Sequence, residues 1–378
     1  MRRRIPGIWL SIAAAMLAGC AARPRPEWAT SAPTSINTSA EEARQRSDMD
    51  RAIATLSERP NGKTCDVLAL SSGGQTGAFG AGLIEGWTTK GDRPEFGLVT
   101  GVSTGALIAV FAFLGPDGDA TLREMYTTHG QSDVIDKRWW IELPLADSYA
   151  RSTPLRNMIN HYISDDVVRR IGGIKGRVLL VGTSNMDLCR LRVWNMTALA
   201  ADEAIPLAAR AARFRDIVMA SMSIPMLMPP VFIDGHMHMD GGMVRQVFLT
   251  ELDRADDLRR ALGGHPRFWV IANRHVKTPP KVVANHMITI SARSVQLMMD
   301  ANLEKDLEEA RRFAADCGGA FATAAVPPDL SDEGTSGMFD AQYMQRLHAE
   351  GIKTVLAGAA WGALVQGTSG GPGATTGP

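Results

Sequence analysis

The chain has 378 residues, of which 45% are hydrophobic and 21% are charged, so it can bury a sizeable core and is not a disordered protein. Its 40 basic and 40 acidic side chains cancel, which gives no support to nucleic-acid binding, because that requires a basic surplus. Four cysteines are too few for a disulfide scaffold of this length. The composition therefore indicates a globular protein that combines helices with strands.

The first 19 residues have the pattern of a secretory signal. Three arginines follow the initiator methionine, and residues 5–18 form a short apolar run. The end of this segment, Leu17-Ala18-Gly19-Cys20, resembles the bacterial lipobox, which implies cleavage before Cys20 and a lipid on that residue. An ordinary signal peptide with a chance cysteine is the alternative. In such lipoproteins Ala21 after the cysteine implies anchoring in the outer membrane of the bacterial cell envelope.

Composition divides the rest of the chain into three parts. Residues 20–60 are expected to form a lipidated tether, because the stretch after Cys20 is rich in Ala, Ser, Thr, Pro and Arg without periodicity. Residues 61–365 are expected to form one folded domain, and residues 366–378 a disordered tail. Within the domain, residues 177–183 and 268–272 predict buried strands, and residues 288–315 predict a helix with a solvated charged face.

A glycine loop follows the first strand of the domain. Residues 66–70 form a short apolar run that fits a buried strand, Ser71–Gly77 form the loop, and a helix extends to Trp87. Backbone N–H groups at such a helix start can hold an anion or an oxyanion. The loop has no lysine and matches no nucleotide-binding motif. Taken alone, it is equally compatible with a tight packing turn.

A serine motif lies on the next strand. Residues 96–100 predict a strand, Gly101-Val102-Ser103-Thr104-Gly105 follow, and an apolar helix extends to Leu114. G-x-S-x-G between a strand and a helix is the context of a nucleophile elbow, in which a sharp turn projects the serine and leaves no room for side chains beside it. The spacing predicts Ser103 as a nucleophile.

The candidate base lies after a predicted hairpin. Two strands flank the turn Asp234-Gly235 and end in Asp240-Gly241-Gly242. Asp240 can approach another backbone closely, because nothing bulky follows it. The alternative is a Ser-His-Asp triad, for which the chain order allows three histidines: His265, His275 and His286.

Together these motifs resemble the patatin-like phospholipase family, whose pattern they follow from residue 66 to 242; a weaker C-terminal element lies at residues 339–344. The resemblance implies a three-layer α/β/α fold with a central, mostly parallel sheet. It makes Ser103 the nucleophile, Asp240 its partner in a Ser-Asp dyad, and Gly73 and Gly74 the oxyanion hole. The other motif glycines are Gly77, Gly101, Gly105, Gly241 and Gly242. No cofactor or metal is implied.

The resemblance implies a serine acyl hydrolase that acts on a lipid or another acyl ester through an acyl-enzyme. Ser72 departs from the family, which usually has a glycine there, and its side chain is a potential obstruction of the oxyanion hole. Thr76 stands where many members have a basic residue, which leaves a phospholipid and a simpler ester both open. A noncatalytic lipoprotein that binds acyl groups is the alternative of a different class.

Two features near the hairpin have alternative interpretations. His236 and His238 share a face of a strand and, with Asp234, can be read as metal ligands; the expectation is a solvent-facing strand with Met237 and Met239 turned to the core. Seven of the 19 methionines lie between residues 219 and 243. They predict either an acyl-chain groove or core filling.

Overall fold

The computed structural model describes residues 38–59, 64–138, 147–249, 255–277, 280, 282–330, 339–361 and 365–366. The predicted signal segment, Cys20, the tether up to residue 37 and the tail after Gln366 lie outside the described residues.

The strands, in chain order, are β1 (Asp66–Leu70), β2 (Phe96–Val102), β3 (Asp136–Lys137), β4 (Ala150–Arg151), β5 (Val178–Asn185), β6 (Arg190–Asn195), β7 (Val231–Ile233), β8 (His236–Asp240), β9 (Arg267–Ala272), β10 (Ala320–Ala325) and β11 (Val365–Gln366). β3 and β4 form a small separate ribbon, and the others form one sheet.

The helices are α1 (Thr38–Ser57), α2 (Gly77–Lys90), α3 (Thr104–Leu114), α4 (Asp119–Thr127), α5 (Gln131–Val134), α6 (Thr153–Tyr162), α7 (Asp165–Gly173), α8 (Met196–Ala201), α9 (Leu207–Ser221), α10 (Ala255–Leu262), α11 (Met287–Asp316) and α12 (Ala341–Leu356). Among the residues that the structure describes, no helix combines the length and the apolarity that crossing a membrane requires.

The large sheet is parallel at its centre and antiparallel at its margins. Its strands lie in the order β11-β10-β9-β1-β2-β5-β8-β7, and β6 pairs with the other edge of β5. The run β10-β9-β1-β2-β5 is parallel. Parallel strands need crossover connections that cover both faces of a sheet. The carboxyl ends of β1, β2 and β9 therefore meet at one edge, where α/β proteins place their ligands.

Helices cover both faces of the sheet. Alternate side chains of β1 enter different cores: Leu68 and Leu70 pack with α2, α3, α4, α9 and α12, whereas Val67 and Ala69 pack with α1, α10 and α11. All five residues of β1 are buried, which explains why the strand reads as a continuous apolar run. The predicted three-layer α/β/α fold with a mostly parallel central sheet is confirmed.

The predicted tether ends earlier than expected. Residues 38–57 form α1, whose Met49, Ala52 and Leu56 are buried in the core. The buried Arg192 of β6 pairs with Glu41 and Asp48 of this helix, at 2.6 Å each. The boundary at residue 60 is therefore wrong: α1 belongs to the folded body, because its apolar face and two of its acids have partners there.

Candidate active site

Strand β5 holds Ser103 and Asp240 in neighbouring positions. Val102, the last residue of β2, pairs with Gly182 on β5, and Ser103 follows it. Asp240, the last residue of β8, pairs with Thr183, the next residue of β5. Because β6 occupies the other edge of β5 along this stretch, β2 and β8 lie end to end on the same side. The strand register thus brings the two predicted catalytic residues together.

The turn at Ser103 has the geometry of an elbow. Its backbone φ is 56° and its ψ is −131°, a conformation that residues with a side chain rarely adopt. The flanking glycines allow close packing: a Cβ on Gly101 would lie 2.4 Å from the carbonyl oxygen of Gly105, and a Cβ on Gly105 would lie 2.4 Å from that of Leu70. The predicted strand–turn–helix context is present, and the close packing of the two glycines holds the backbone of Ser103 in its strained conformation.

Ser103 is hydrogen-bonded through its side chain and its backbone. Its Oγ donates to Oδ2 of Asp240 over 2.6 Å. Its backbone N–H donates to Oγ of Ser221 over 2.9 Å, and that hydroxyl donates in turn to the carbonyl oxygen of Gly182 over 2.7 Å. Ser221, at the end of α9, therefore holds the backbone of Ser103 in place, and the Ser103 hydroxyl points at the carboxylate of Asp240.

The carboxylate of Asp240 is fully buried. Oδ1 accepts from the backbone N–H of Gly242 over 2.8 Å. Gly241 is held tightly, because a Cβ there would lie 2.3 Å from the carbonyl oxygen of Gly182. Burial raises the pKa of Asp240 to about 6, although the bonds from Ser103 and Gly242 oppose this rise. A carboxyl with this pKa can exchange a proton near neutral pH, as a general base must.

Arg274 supplies a positive charge next to the site. It follows the carboxyl end of β9 and lies 2.5 Å from Asp300, and its Nη1 donates to Oγ of Ser72 over 3.3 Å. Its charge lowers the pKa of Asp240, whereas burial lowers the pKa of Arg274 itself. The glycine loop, which has Thr76 in place of the family's basic residue, thus has a cation beside it that comes from another strand.

The glycine loop lies beside the elbow. A Cβ on Gly73 would lie 1.8 Å from the carbonyl oxygen of Asn273, whereas Gly74 has φ +60° with open space around it. Thr76 donates through Oγ1 toward the carbonyl oxygens of Gly73 and Asn273, over 2.7 and 2.6 Å. Gly77 packs against Thr104, at the start of α3. Gly74 and Ser103 line the same cavity, which places the loop backbone beside the hydroxyl.

Ser72 does not point into this cavity. Its hydroxyl donates to Oε1 of Gln246 and accepts from Arg274. The Gln246 amide donates in turn to the carbonyl oxygen of Gly242 over 2.7 Å. The side chain at position 72 therefore joins the glycine loop to the segment after Asp240, and no obstruction of the predicted oxyanion hole follows from it.

The cavity at Ser103 is walled mainly by hydrophobic side chains. Its apolar lining includes Leu107, Met125, Leu155, Met158, Met222, Ile224, Leu227, Met228, Phe339 and Met344. Of the seven methionines between residues 219 and 243, Met222 and Met228 thus line the cavity, and Met219 lies in the core. Met226 is exposed and is not part of this lining. Core filling is therefore confirmed for Met219, and an acyl-chain groove stays a prediction.

The histidines of the triad alternative are engaged elsewhere. His265 is exposed and interacts with the carbonyl oxygen of Gly318 over 3.0 Å, and His275 interacts with that of Val326 over 3.2 Å. His286 is exposed just before α11. Within the described part of the chain, the hydrogen-bond partner of the Ser103 hydroxyl is a carboxylate, and no hydrogen bond to it comes from a histidine.

The expectation for the hairpin is wrong at His238. This side chain is buried, its Nδ1 lies 3.0 Å from Oγ1 of Thr183, and its ring packs against Trp194. These contacts cover the face of β8 that carries His238, so this face is not open to solvent. Asp234 pairs instead with Arg213 over 2.7 Å, and among the described residues no group of three His, Cys, Asp or Glu side chains has a metal-binding arrangement.

Four residues around the site were not predicted from the sequence: Ser221, Gln246, Asn273 and Arg274. Ser221 and Gln246 act through hydrogen bonds to residues more than a hundred positions away, which no local pattern reveals. For Asn273 and Arg274 a signal was present, because they follow a predicted buried strand. In a mostly parallel sheet, the end of such a strand falls at the same edge as the glycine loop.

Comparisons with known proteins agree with the motifs. A family model described as patatin-like phospholipase matches residues 68–253, an interval that includes Ser103 and Asp240. No curated protein sequence matches the chain. Among solved structures, the crystal structure of VipD from Legionella pneumophila aligns with a TM-score of 0.41 and 10% sequence identity, over 79% of this chain and 68% of VipD.

Proposed function

Because residues 68–253 belong to the patatin-like phospholipase family, we propose that the protein is a serine acyl hydrolase that cleaves acyl esters of lipids with a Ser103–Asp240 dyad. The observation that carries this proposal is the 2.6 Å hydrogen bond from the Ser103 hydroxyl to the buried carboxylate of Asp240. Hydrolysis of a chromogenic acyl ester by the purified protein tests it, and a properly folded protein without turnover on any acyl ester contradicts it.

In the first half-reaction, Oγ of Ser103 attacks the ester carbonyl carbon while its proton passes to Oδ2 of Asp240. The tetrahedral intermediate then collapses, the bond to the leaving alcohol breaks, and that alcohol takes the proton from Asp240. In the second half-reaction, water attacks the acyl-serine and gives its proton to Asp240. The bond to Oγ of Ser103 breaks, the serine regains the proton, and the carboxylic acid leaves.

The oxygen of the tetrahedral intermediate needs hydrogen-bond donors. We assign this role to the backbone N–H groups of Gly73 and Gly74, because Gly74 lines the cavity with Ser103 and no Cβ can be accommodated at Gly73. The backbone N–H of Ser103 is already bonded to Ser221. Each such donor commonly stabilises the transition state by about 3 kcal/mol.

The wall of the cavity supports a substrate with an apolar acyl chain. Methionines at 125, 158, 222, 228 and 344 contribute to it, and this unbranched side chain adapts to irregular apolar ligands. By the same proposal, the lipid predicted at Cys20 would hold the enzyme at a membrane of the bacterial cell envelope, close to its substrates.

The rate of hydrolysis should depend on pH through Asp240. The base must be ionised, and its pKa is about 6, so kcat/KM for a soluble ester should rise with pH and level off above about pH 7. Removing the positive charge in Arg274→Gln should move the midpoint to higher pH, because Arg274 lowers the pKa of Asp240, and Arg274→Lys should move it less. A midpoint that is the same in all three proteins would contradict this electrostatic role.

Met228 and Met226 form a matched pair for testing the acyl site. Met228 is buried and lines the cavity, whereas Met226 is exposed and is not among the lining residues. Met228→Ala should enlarge the cavity and change the relative kcat/KM for long and short acyl chains by about 10-fold, the effect of one to two kcal/mol of apolar contact. Met226→Ala should leave this ratio within twofold. Equal chain-length profiles for both variants and the parent would place the acyl chain elsewhere.

A further inference from the structure

In the part of the chain that the structure describes, most exposed large hydrophobic side chains cluster in one part of the sequence. Among the described residues eight such side chains are exposed, and five of them form what we call the apolar ridge: Val282 (97% exposed), Val283, Ile290, Leu297 (54%) and Met298 (57%). The three others, Met186, Met226 and Leu356, are scattered along the chain. Scattered exposed hydrophobics are ordinary, but a group of them marks an interaction surface.

The ridge lies along the first half of α11 and the segment before it. Ile290, Leu297 and Met298 are spaced i, i+7 and i+8, so they share one face of the helix. The second half of the helix is anchored, because Leu303 and Phe313 are buried in the core. The exposed residues of the ridge therefore belong to a helix whose second half is packed in the core.

The stretch of sequence that contains the ridge has basic but no acidic side chains. No Asp or Glu occurs between Asn273 and Met299, whereas this stretch contains four Lys or Arg in a chain whose acids and bases balance overall. One of the four, Arg274, pairs with Asp300. Lys277 is exposed and Arg293 is half-buried. Apolar side chains beside basic ones, without acids, are the features that bind an anionic lipid interface through both burial and electrostatic attraction.

Residues of α11 that directly follow the ridge contact the candidate active site. A Cβ on Gly242 would lie 3.0 Å from Cε of Met299, and Asn302 donates to the carbonyl oxygen of Met243 over 3.0 Å. Asp300, between them, pairs with Arg274. Whatever binds the ridge is therefore held next to the loop that carries Asp240.

We propose that the apolar ridge is a lipid-binding surface that docks the protein on anionic bilayers. Its apolar content, the basic and acid-free stretch of sequence that contains it, and its place beside the dyad all fit this occupant. The inference rests on the proposed function only for the expectation that the substrate is a lipid. It goes beyond that function because it assigns a docking surface separate from the cavity that takes the acyl chain.

The test uses the full chain with Ser103→Ala, so that no turnover occurs, and Cys20→Ser, so that no lipid is attached there. Flotation measures partitioning onto vesicles of phosphatidylglycerol and phosphatidylcholine, and onto phosphatidylcholine alone. Ile290→Ser/Leu297→Ser/Met298→Ser should weaken partitioning onto the anionic vesicles by about 10-fold or more. The matched control Met186→Ser/Met226→Ser/Leu356→Ser should stay within twofold of the parent. Lys277→Glu, which replaces no apolar residue, should weaken binding to the anionic vesicles alone.

Two results would overturn the proposal. One is equal partitioning of the ridge variant, the control and Lys277→Glu. The other is a ridge variant that changes from dimer to monomer in size-exclusion chromatography while its partitioning is unchanged, which would make the ridge a contact between two copies. The proposed function is tested separately, by hydrolysis of a soluble ester with Ser103 intact. An inactive protein with ridge-dependent partitioning contradicts the catalysis alone, and an active one with ridge-independent partitioning contradicts the docking surface alone.

Discussion

Ser103→Ala is expected to lower kcat for a chromogenic acyl ester by at least about 10⁴-fold, because a serine hydrolase without its nucleophile retains little more than the contribution of binding and the oxyanion hole. Alanine keeps the Cβ, so the strained backbone at φ 56° is the same in both proteins. The substitution removes the hydroxyl and its bond to Asp240. Initial rates at saturating substrate, with folding verified by thermal denaturation, measure the effect.

Ser164→Ala is the matched control for this substitution. Ser164 caps α7 by accepting from the backbone N–H of Val167, and this region contributes nothing to the lining of the cavity at Ser103. Loss of this helix cap should lower the free energy of unfolding by about 1 kcal/mol and leave kcat unchanged. If Ser103→Ala kept more than a few per cent of the activity, the hydrolysis would belong to another residue.

Asp240→Asn is expected to lower kcat/KM by at least about 10³-fold, because an amide in the place of the base cannot accept the serine proton. The asparagine has the same shape and can still accept from the N–H of Gly242. Asp234→Asn is the control, since Asp234 lies in the same hairpin and pairs with Arg213, away from Ser103. It should retain activity within about twofold.

Asp240→Asn should also make the protein more stable at pH 8. The pKa of Asp240 is raised from 3.8 to about 6 by burial, so the folded state holds this proton more tightly than the unfolded chain does. Keeping the carboxylate ionised therefore destabilises the fold above pH 6, by about 3 kcal/mol at roughly 1.36 kcal/mol per pH unit. This penalty declines between pH 6 and 4 and is absent below. Asp240→Asn should melt above the parent at pH 8, and this difference should vanish near pH 4; the opposite order at pH 8 would show that the carboxylate is structurally favourable.

The sequence was sufficient for the parts of the fold that are locally encoded. β1 and β2 are short apolar runs because both faces of a central parallel strand are buried. The glycines around Ser103 are required by backbone contacts at 2.4 Å, and such constraints leave a motif that can be read directly. The pairing of Ser103 with Asp240 was predicted through a family resemblance. Its physical cause is that β2 and β8 end at neighbouring residues of β5, and this appears only in the sheet.

What the sequence did not reveal depends on distant partners. The residues of α1 were assigned to a tether because the stretch after Cys20 is rich in Ala, Ser, Thr, Pro and Arg and shows no periodicity. Nothing local indicates that Glu41 and Asp48 meet Arg192. The alternation of side chains along β8 predicted that His238 faces solvent, but its contacts with Thr183 and Trp194 enclose it. Arg274 contacts Ser72 of the glycine loop from the end of β9, and this contact between distant segments is a tertiary property.

Labelling with a fluorophosphonate, followed by mass spectrometry of the modified peptide, examines the dyad most directly. The reagent should attach to the hydroxyl at position 103 of the parent and of the variants His265→Ala, His275→Ala and His286→Ala at similar rates, and should fail to attach to Asp240→Asn. Two results would contradict the dyad. One is a label on a residue other than Ser103. The other is rapid labelling of Asp240→Asn together with slow labelling of any one histidine variant, which would show that a carboxylate alone does not activate this serine.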